Sequence, residues 1–247
     1  MRFHICSIFT VLILLAVNEP FAFAQTEQKA KVTTPDLSLY ELSGKVKTCI
    51  LASYETKEQA DQESVANDST AESLAGAVTL RFTPTGQFQE MDIEGESLTY
   101  HYNAAGKFVK GEIKDDPERN FTIKRNPQGQ LIELNVKRLD GQVAENAYKI
   151  NYIYTNGLCS DRKETYWEAQ NQYKLAYTQS GQLASSTLEN TSEGVKRTEK
   201  TVYTYLKFDA AGNWLQRRAV LTWTENESGS LRTGSEESIE QRLITYF

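Results

Sequence analysis

The sequence predicts an all-β protein: an antiparallel meander of about fourteen strands in one large curved or folded-over sheet built from hairpin repeats. Three observations predict it. A glycine-bearing turn motif recurs along the chain. Apolar and polar residues alternate between the turns. No window carries a convincing helical period. The 247 residues have a net charge of −6 and no Lys/Arg-rich run, which speaks against nucleic acid as a partner.

The N-terminus reads as a secretory signal. Arg2 gives the positive start, and Ile8 to Val17 form an apolar run of about ten residues, too short to span a bilayer comfortably. Ala22-Phe23-Ala24 has the small-x-small form of a cleavage site, so residues 1–24 are expected to be a signal peptide and the mature chain to start near Gln25. Cys6 precedes the apolar run and is not placed as a lipoprotein cysteine would be. The expected location is extracytoplasmic, periplasmic or secreted, with no membrane span after signal removal. Residues 25–40 are polar and aperiodic and read as a flexible leader. Residues 41–247 read as the β-repeat domain, with a long polar stretch at 55–76 that forms a surface loop or a short helix.

From Ala77 onward an aromatic residue is followed four positions later by Gly and two further on by an apolar residue. The copies are Phe82 to Phe88, Tyr102 to Phe108, Tyr177 to Leu183 and Phe208 to Trp214. Arg125 to Leu131 is a variant with Arg in the aromatic place, and Tyr154 to Leu158 is shortened. Each copy predicts a tight turn with its glycine (Gly86, Gly106, Gly129, Gly157, Gly181 or Gly212) in the left-handed position. Thr83, Asn103, Asn126, Thr178 and Asp209 can bond the turn backbone, and Asn156-Gly157 is a strong two-residue hairpin signal. Other breaks, such as Gly95, Asp140-Gly141 and Glu193-Gly194, alternate with these turns, as a meander requires.

If the four residues ending in Gly form the loop, Leu80 faces Gln89, Tyr100 faces Val109, Ile123 faces Ile132 and Val202 faces Ala219. Most apolar residues then share one face, whereas a one-residue slip would scatter them. This register sets the apolar residue after each turn on the wetter face beside a basic one. The row Arg81, Phe88, His101, Phe108, Lys124, Lys207 and Trp214 is then either packing at the rim or a ligand-contacting surface.

Cys49 and Cys159 could pair in an oxidising compartment or be small buried hydrophobes. In a flat meander they would lie roughly 40 Å apart. A disulfide needs Cα atoms within about 7 Å, so a bond would require the sheet to close or fold back.

The copies resemble the YD (RHS-type) repeat, whose core is Tyr-Asp-x-x-Gly followed by Arg, Asn or similar. Phe208-Asp209-Ala210-Ala211-Gly212-Asn213-Trp214 is the nearest copy, with Phe for Tyr. Leu42 to Lys47 and Arg242 to Phe247 look like the edges of small secreted bacterial proteins bearing such repeats. The resemblance implies extracytoplasmic interaction or an encapsulating architecture, and no catalytic residues.

The inventory for chemistry is thin. His101 is the one histidine of the expected mature chain, on the polar face of a strand. Glu90, Asp92 and Glu94 alternate as a solvated face does, and no phosphate-binding glycine pattern is present. The reading is therefore a non-catalytic binding or interaction module at the cell envelope, with no cofactor or metal and an unidentified protein or glycan partner. Two alternatives stand beside it. An even strand count and terminal Phe247 suit an outer-membrane β-barrel, against which Asp161-Arg162-Lys163-Glu164 puts charge on both faces. The abundant tyrosines suit a carbohydrate-binding or carbohydrate-active protein if exposed, although half-buried packing explains them as well.

Overall fold

The structure is a computed structural model and describes residues 34–62, 77–93, 96–140, 143–166, 169–192, 195–227 and 229–247. The expected signal peptide, most of the leader and the breaks at Gly95, Gly141 and Gly194 lie outside the described residues.

Among the described residues, fourteen strands follow one another. They are β1 (Val46–Tyr54), β2 (Val78–Phe82), β3 (Phe88–Ile93), β4 (Glu96–Tyr102), β5 (Phe108–Ile113), β6 (Arg119–Arg125) and β7 (Leu131–Asp140). The second half holds β8 (Val143–Thr155), β9 (Leu158–Thr165), β10 (Ala169–Tyr177), β11 (Leu183–Ser192), β12 (Val195–Phe208), β13 (Trp214–Glu227) and β14 (Ser230–Tyr246). Each strand pairs antiparallel with its sequence neighbours, and β1 also pairs with β14, so the expected meander closes into a barrel. Along the closing seam Cys49 faces Ile244 and Tyr54 faces Ile239. Closure gives every strand two neighbours and leaves the sheet no free edge.

The turn glycines fall where the sequence puts them. The Thr83 N–H donates to the Gln87 carbonyl and the Gly86 N–H to the Thr83 carbonyl, both at 2.8 Å, with Gly86 at φ 76°. The same pair of bonds recurs after β4, β6, β10 and β12. In this turn the left-handed glycine adds a bulge. Phe82 therefore faces Phe88, Tyr102 faces Phe108, Arg125 faces Leu131, and Phe208 faces Trp214.

The bulge corrects the expected register by two residues along the strand bodies. Leu80 faces Met91, Tyr100 faces Gly111, and Ile123 faces Leu134. A displacement of two keeps the faces, so the inward set of the strand bodies agrees with the alternation. Two irregularities between Tyr205 and Phe208 change the last hairpin differently: Val202 faces Val220, and Tyr203 faces Ala219.

The interior of the first half is apolar. Leu80, Phe82, Phe88, Met91, Tyr100, Phe121, Leu134, Val136 and Ile150 form one buried cluster. Tyr100 lies edge-on to Phe88 and Phe121, with ring centroids 4.7 and 4.6 Å apart. Burying each such side chain contributes about 1.5–3 kcal/mol. The second half adds inward-facing ion pairs, described below.

Two short helices accompany the strands, the second in the polar stretch where the sequence allows one. α1 (Pro35–Leu39) forms at the end of the segment read as a flexible leader and docks inside one mouth of the barrel. α2 (Lys57–Gln62) lies in the polar stretch after β1 and lays Ala60 over Ile50, Ala52, Tyr54 and Ile239 on the outer wall. Cys49 and Cys159 are both buried and free, so the disulfide raised by the sequence is not formed.

Candidate functional site

The segment from Thr34 to Gly44 carries a dense set of long-range polar contacts and stops the turn-bearing mouth of the barrel. Thr34 caps α1, accepting from the Leu37 N–H at 3.4 Å, and Pro35 follows in the first turn, where its missing N–H costs nothing. At the other end the Leu42 N–H donates to the Leu37 carbonyl at 2.8 Å and the Glu41 N–H to the Ser38 carbonyl at 3.1 Å. This is the paired bonding of a Schellman ending, whose left-handed residue is usually Gly. Here it is Glu41, at φ 55°.

The carboxylate at that position explains the choice. Glu41 Oε1 accepts from the Leu183 N–H at 2.9 Å and the Tyr205 hydroxyl at 2.7 Å. Its Oε2 accepts from Arg217 at 2.9 Å and from the Trp214 indole at 3.2 Å. Burial alone would raise the Glu41 pKa, but Arg217, Arg242 and these hydrogen bonds outweigh it and hold the carboxyl below its ordinary range.

Arg217 is fully buried and also donates from Nε to Glu240 at 2.6 Å. Burial pushes the Glu240 carboxyl up despite that partner. The Arg217 and Arg242 guanidiniums lie 4.1 and 3.6 Å from the centroid of the Trp214 ring. Arg242 further donates to the Tyr40 carbonyl at 2.8 Å. The plug is thus fastened to β13 and β14 by charge-assisted bonds.

Its first turn is fastened to the opposite wall. Asp36 accepts from both terminal nitrogens of Arg125, at 2.5 and 2.9 Å, and from the Phe88 N–H at 2.9 Å. Ser43 closes the segment, its N–H donating to Asn213 Oδ1 at 2.7 Å, while the Asn213 amide donates to the Ser43 carbonyl at 3.0 Å.

Further ion pairs line the interior of the second half. Arg162 lies 3.0 Å from Glu164 and covers the Tyr173 ring at 3.9 Å. Glu164 also accepts from Asn171 at 3.2 Å. Arg197 lies 2.6 Å from Glu199 and 5.1 Å from the Trp223 ring centroid. Burial pushes the Glu199 carboxyl up although Arg197 pulls it down.

The row of seven residues considered as a ligand surface does not assemble. Phe88 and Trp214 are 3% and 1% exposed, and Phe108 packs against the apolar cluster. Arg81, His101 and Lys124 stay on the outer wall, paired with Glu90 at 3.2 Å, Glu112 at 2.7 Å and Glu133 at 2.8 Å, and Lys207 is exposed. The turn bulge is the cause, because it moves the residue after each turn to the opposite face. The tyrosines at 100 and 203 also point inward and are buried.

Sequence reasoning missed the plug residues. The Thr34-Pro35-Asp36 helix start and the exception at Arg125 were the available signals.

No family model matches the chain, and no curated protein matches it. Among solved structures it is similar to a porin-like protein from Bacteroides uniformis, at 12% identity and a TM-score of 0.46, over 82% of this chain and 98% of that one. The likeness is in the course of the chain alone.

Proposed function

We propose that the mature protein is a non-catalytic, plugged β-barrel of the cell envelope whose outer wall faces water. The observation that carries this is the chemistry of that wall. Lys163, Gln172, Lys174, Glu189, Lys200 and Arg218 each lie beside a buried residue on β9 to β13 and are exposed, as are Lys196 and Glu237 on β12 and β14. A lipid-facing Lys or Arg at the bilayer midplane costs about 2–4 kcal/mol, and a membrane barrel carries an apolar outer band instead. The ion pairs and aromatic clusters inside serve to hold the plug and fill the barrel. The signal-like N-terminus supports export.

A second reading has its own observation. A closed meander of fourteen antiparallel strands is the architecture of an outer-membrane barrel, and it fits that alternative better than an open binding sheet.

Fractionation of cells expressing the full chain separates the two. The water-facing reading predicts release by osmotic shock and a monodisperse mature chain without detergent. Retention in the outer membrane after an alkaline wash, with detergent needed for solubility, would establish the membrane reading instead.

A further inference from the structure

The strands of several hairpin-to-hairpin seams part near the turn-bearing mouth, and at four of these a tyrosine hydroxyl spans the gap. Tyr102 on β4 donates to the Phe88 carbonyl at 2.6 Å, and Tyr154 on β8 to the Leu131 carbonyl at 2.9 Å. Tyr177 on β10 donates to the Cys159 carbonyl at 2.9 Å, and the Tyr205 hydroxyl on β12 sits 2.8 Å from the Leu183 carbonyl, its one proton shared between that carbonyl and Glu41.

The seam between β5 and β6 departs from this pattern. Among the described residues, the two strands face each other at Gly111–Phe121 and Glu112–Asn120 alone. Phe108 and Lys110 pair with β4 and Thr122 to Arg125 with β7, but not with one another. A shallow groove of about 620 Å³ runs along this seam from Val109 and Thr122 past the two facing pairs to the turn at Lys114 to Pro117, lined by both strands. The residue in the tyrosine place is Arg125, and its guanidinium turns to Asp36 of α1 instead of across the seam. Asp36 in turn holds the Phe88 N–H of β3. The tie therefore runs from β6 through the plug to β3 and bypasses β5.

We propose that the barrel wall opens between β5 and β6, and that the docked N-terminal segment latches this seam shut through Asp36 and Arg125. Undocking the segment removes the Asp36–Arg125 ion pair near the seam's open end. What remains are the two facing pairs, the Phe108 and Phe121 rings with centroids 6.2 Å apart, and the Phe121 ring lying against Gly111, where an added Cβ would come within 2.2 Å of that ring. The opening is a property of the wall itself, and it holds whether the barrel sits in water or in a membrane.

Hydrogen–deuterium exchange on the whole mature chain tests it. The segments 108–113 and 119–125 should exchange about tenfold faster than 185–192 and 195–202, whose seam is bridged by Tyr205. Asp36→Asn should speed the first pair by about a further tenfold and leave the second pair within about twofold. Arg125→Tyr restores a hydroxyl at the bridging position and should slow 108–113 while loosening 34–39. The proposal is overturned if the β5–β6 seam is as protected as β11–β12 in the unmodified chain. It also fails if Asp36→Asn speeds every seam alike, or if Arg125→Tyr leaves 108–113 as fast as before. Should Asp36→Asn not fold, the unmodified chain and Arg125→Tyr still decide the matter.

Discussion

Glu41 adopts a left-handed backbone at φ 55° and sets its carboxylate 2.9 Å from Arg217 Nη1. Left-handed backbone costs a non-glycine residue about 1–2 kcal/mol, so the carboxylate must repay that strain. Glu41→Ala keeps the strain and loses the bonds. Glu41→Gly loses the bonds and relieves the strain. Both variants should be less stable than the native chain, with Ala the worse by about 1 kcal/mol in urea unfolding.

Arg217 serves two carboxylates at once, Glu41 and Glu240. Removing it leaves both buried near one another. Arg217→Met should cost about 3–5 kcal/mol by the same measurement. Arg218→Met, its exposed neighbour paired with Glu237, should cost less than about 1 kcal/mol.

The buried carboxylates predict opposite pH behaviour. Glu41 lies below its ordinary value of 4.5 in the folded state, so its contribution is present above about pH 4.5 and fades as pH falls through the folded value. Glu199 lies above 4.5, so its contribution is present below that pH and is lost as pH rises through the folded value. At pH 7, Glu41→Gln should lower the urea midpoint and Glu199→Gln should raise it. For Glu199→Gln the difference from the native chain should vanish below about pH 4.

Turn glycines should differ in their tolerance of a side chain. Gly181 is left-handed at φ 79° with open space around an added Cβ, and Gly181→Ala should cost about 1–2 kcal/mol. At Gly86 the added Cβ would meet Thr34 Cγ2 at 2.8 Å. Gly86→Ala should cost more, and thermal unfolding should show added protease sensitivity near residue 34. Equal losses at the two sites would deny that the plug rests on this turn.

Much of the fold was legible because its turns obey local chemistry. Gly86 and Gly212 carry the positive φ expected of them, and the alternation between turns set the inward face of most strand bodies correctly. The bulge was not legible, because an extra residue at the turn changes neither the motif nor the alternation beyond it. That single residue moved Phe88 and Trp214 from the expected wet face to the inside.

The site was harder to read. Arg162 and Glu164, two apart on β9, look like half of a solvated strand, yet they share the inner face with Tyr173. Asp161 and Lys163 between them hold the outer wall. Charge alternation cannot say which wall is dry, since that depends on strands far away in sequence. Helix α1 spans Pro35–Leu39, five residues and too few to show a period, and its partners Arg125 and Arg217 lie far along the chain.

The closure of β1 onto β14 supports everything above, and a cross-link reads it directly. Thr48 and Thr245 face each other across that seam. With Cys49 and Cys159 replaced by Ala, Thr48→Cys with Thr245→Cys should form an intramolecular disulfide in mild oxidant, seen as a faster-migrating monomer on a non-reducing gel. A chain that keeps both thiols reactive in its folded, monomeric state would show that the wall does not close.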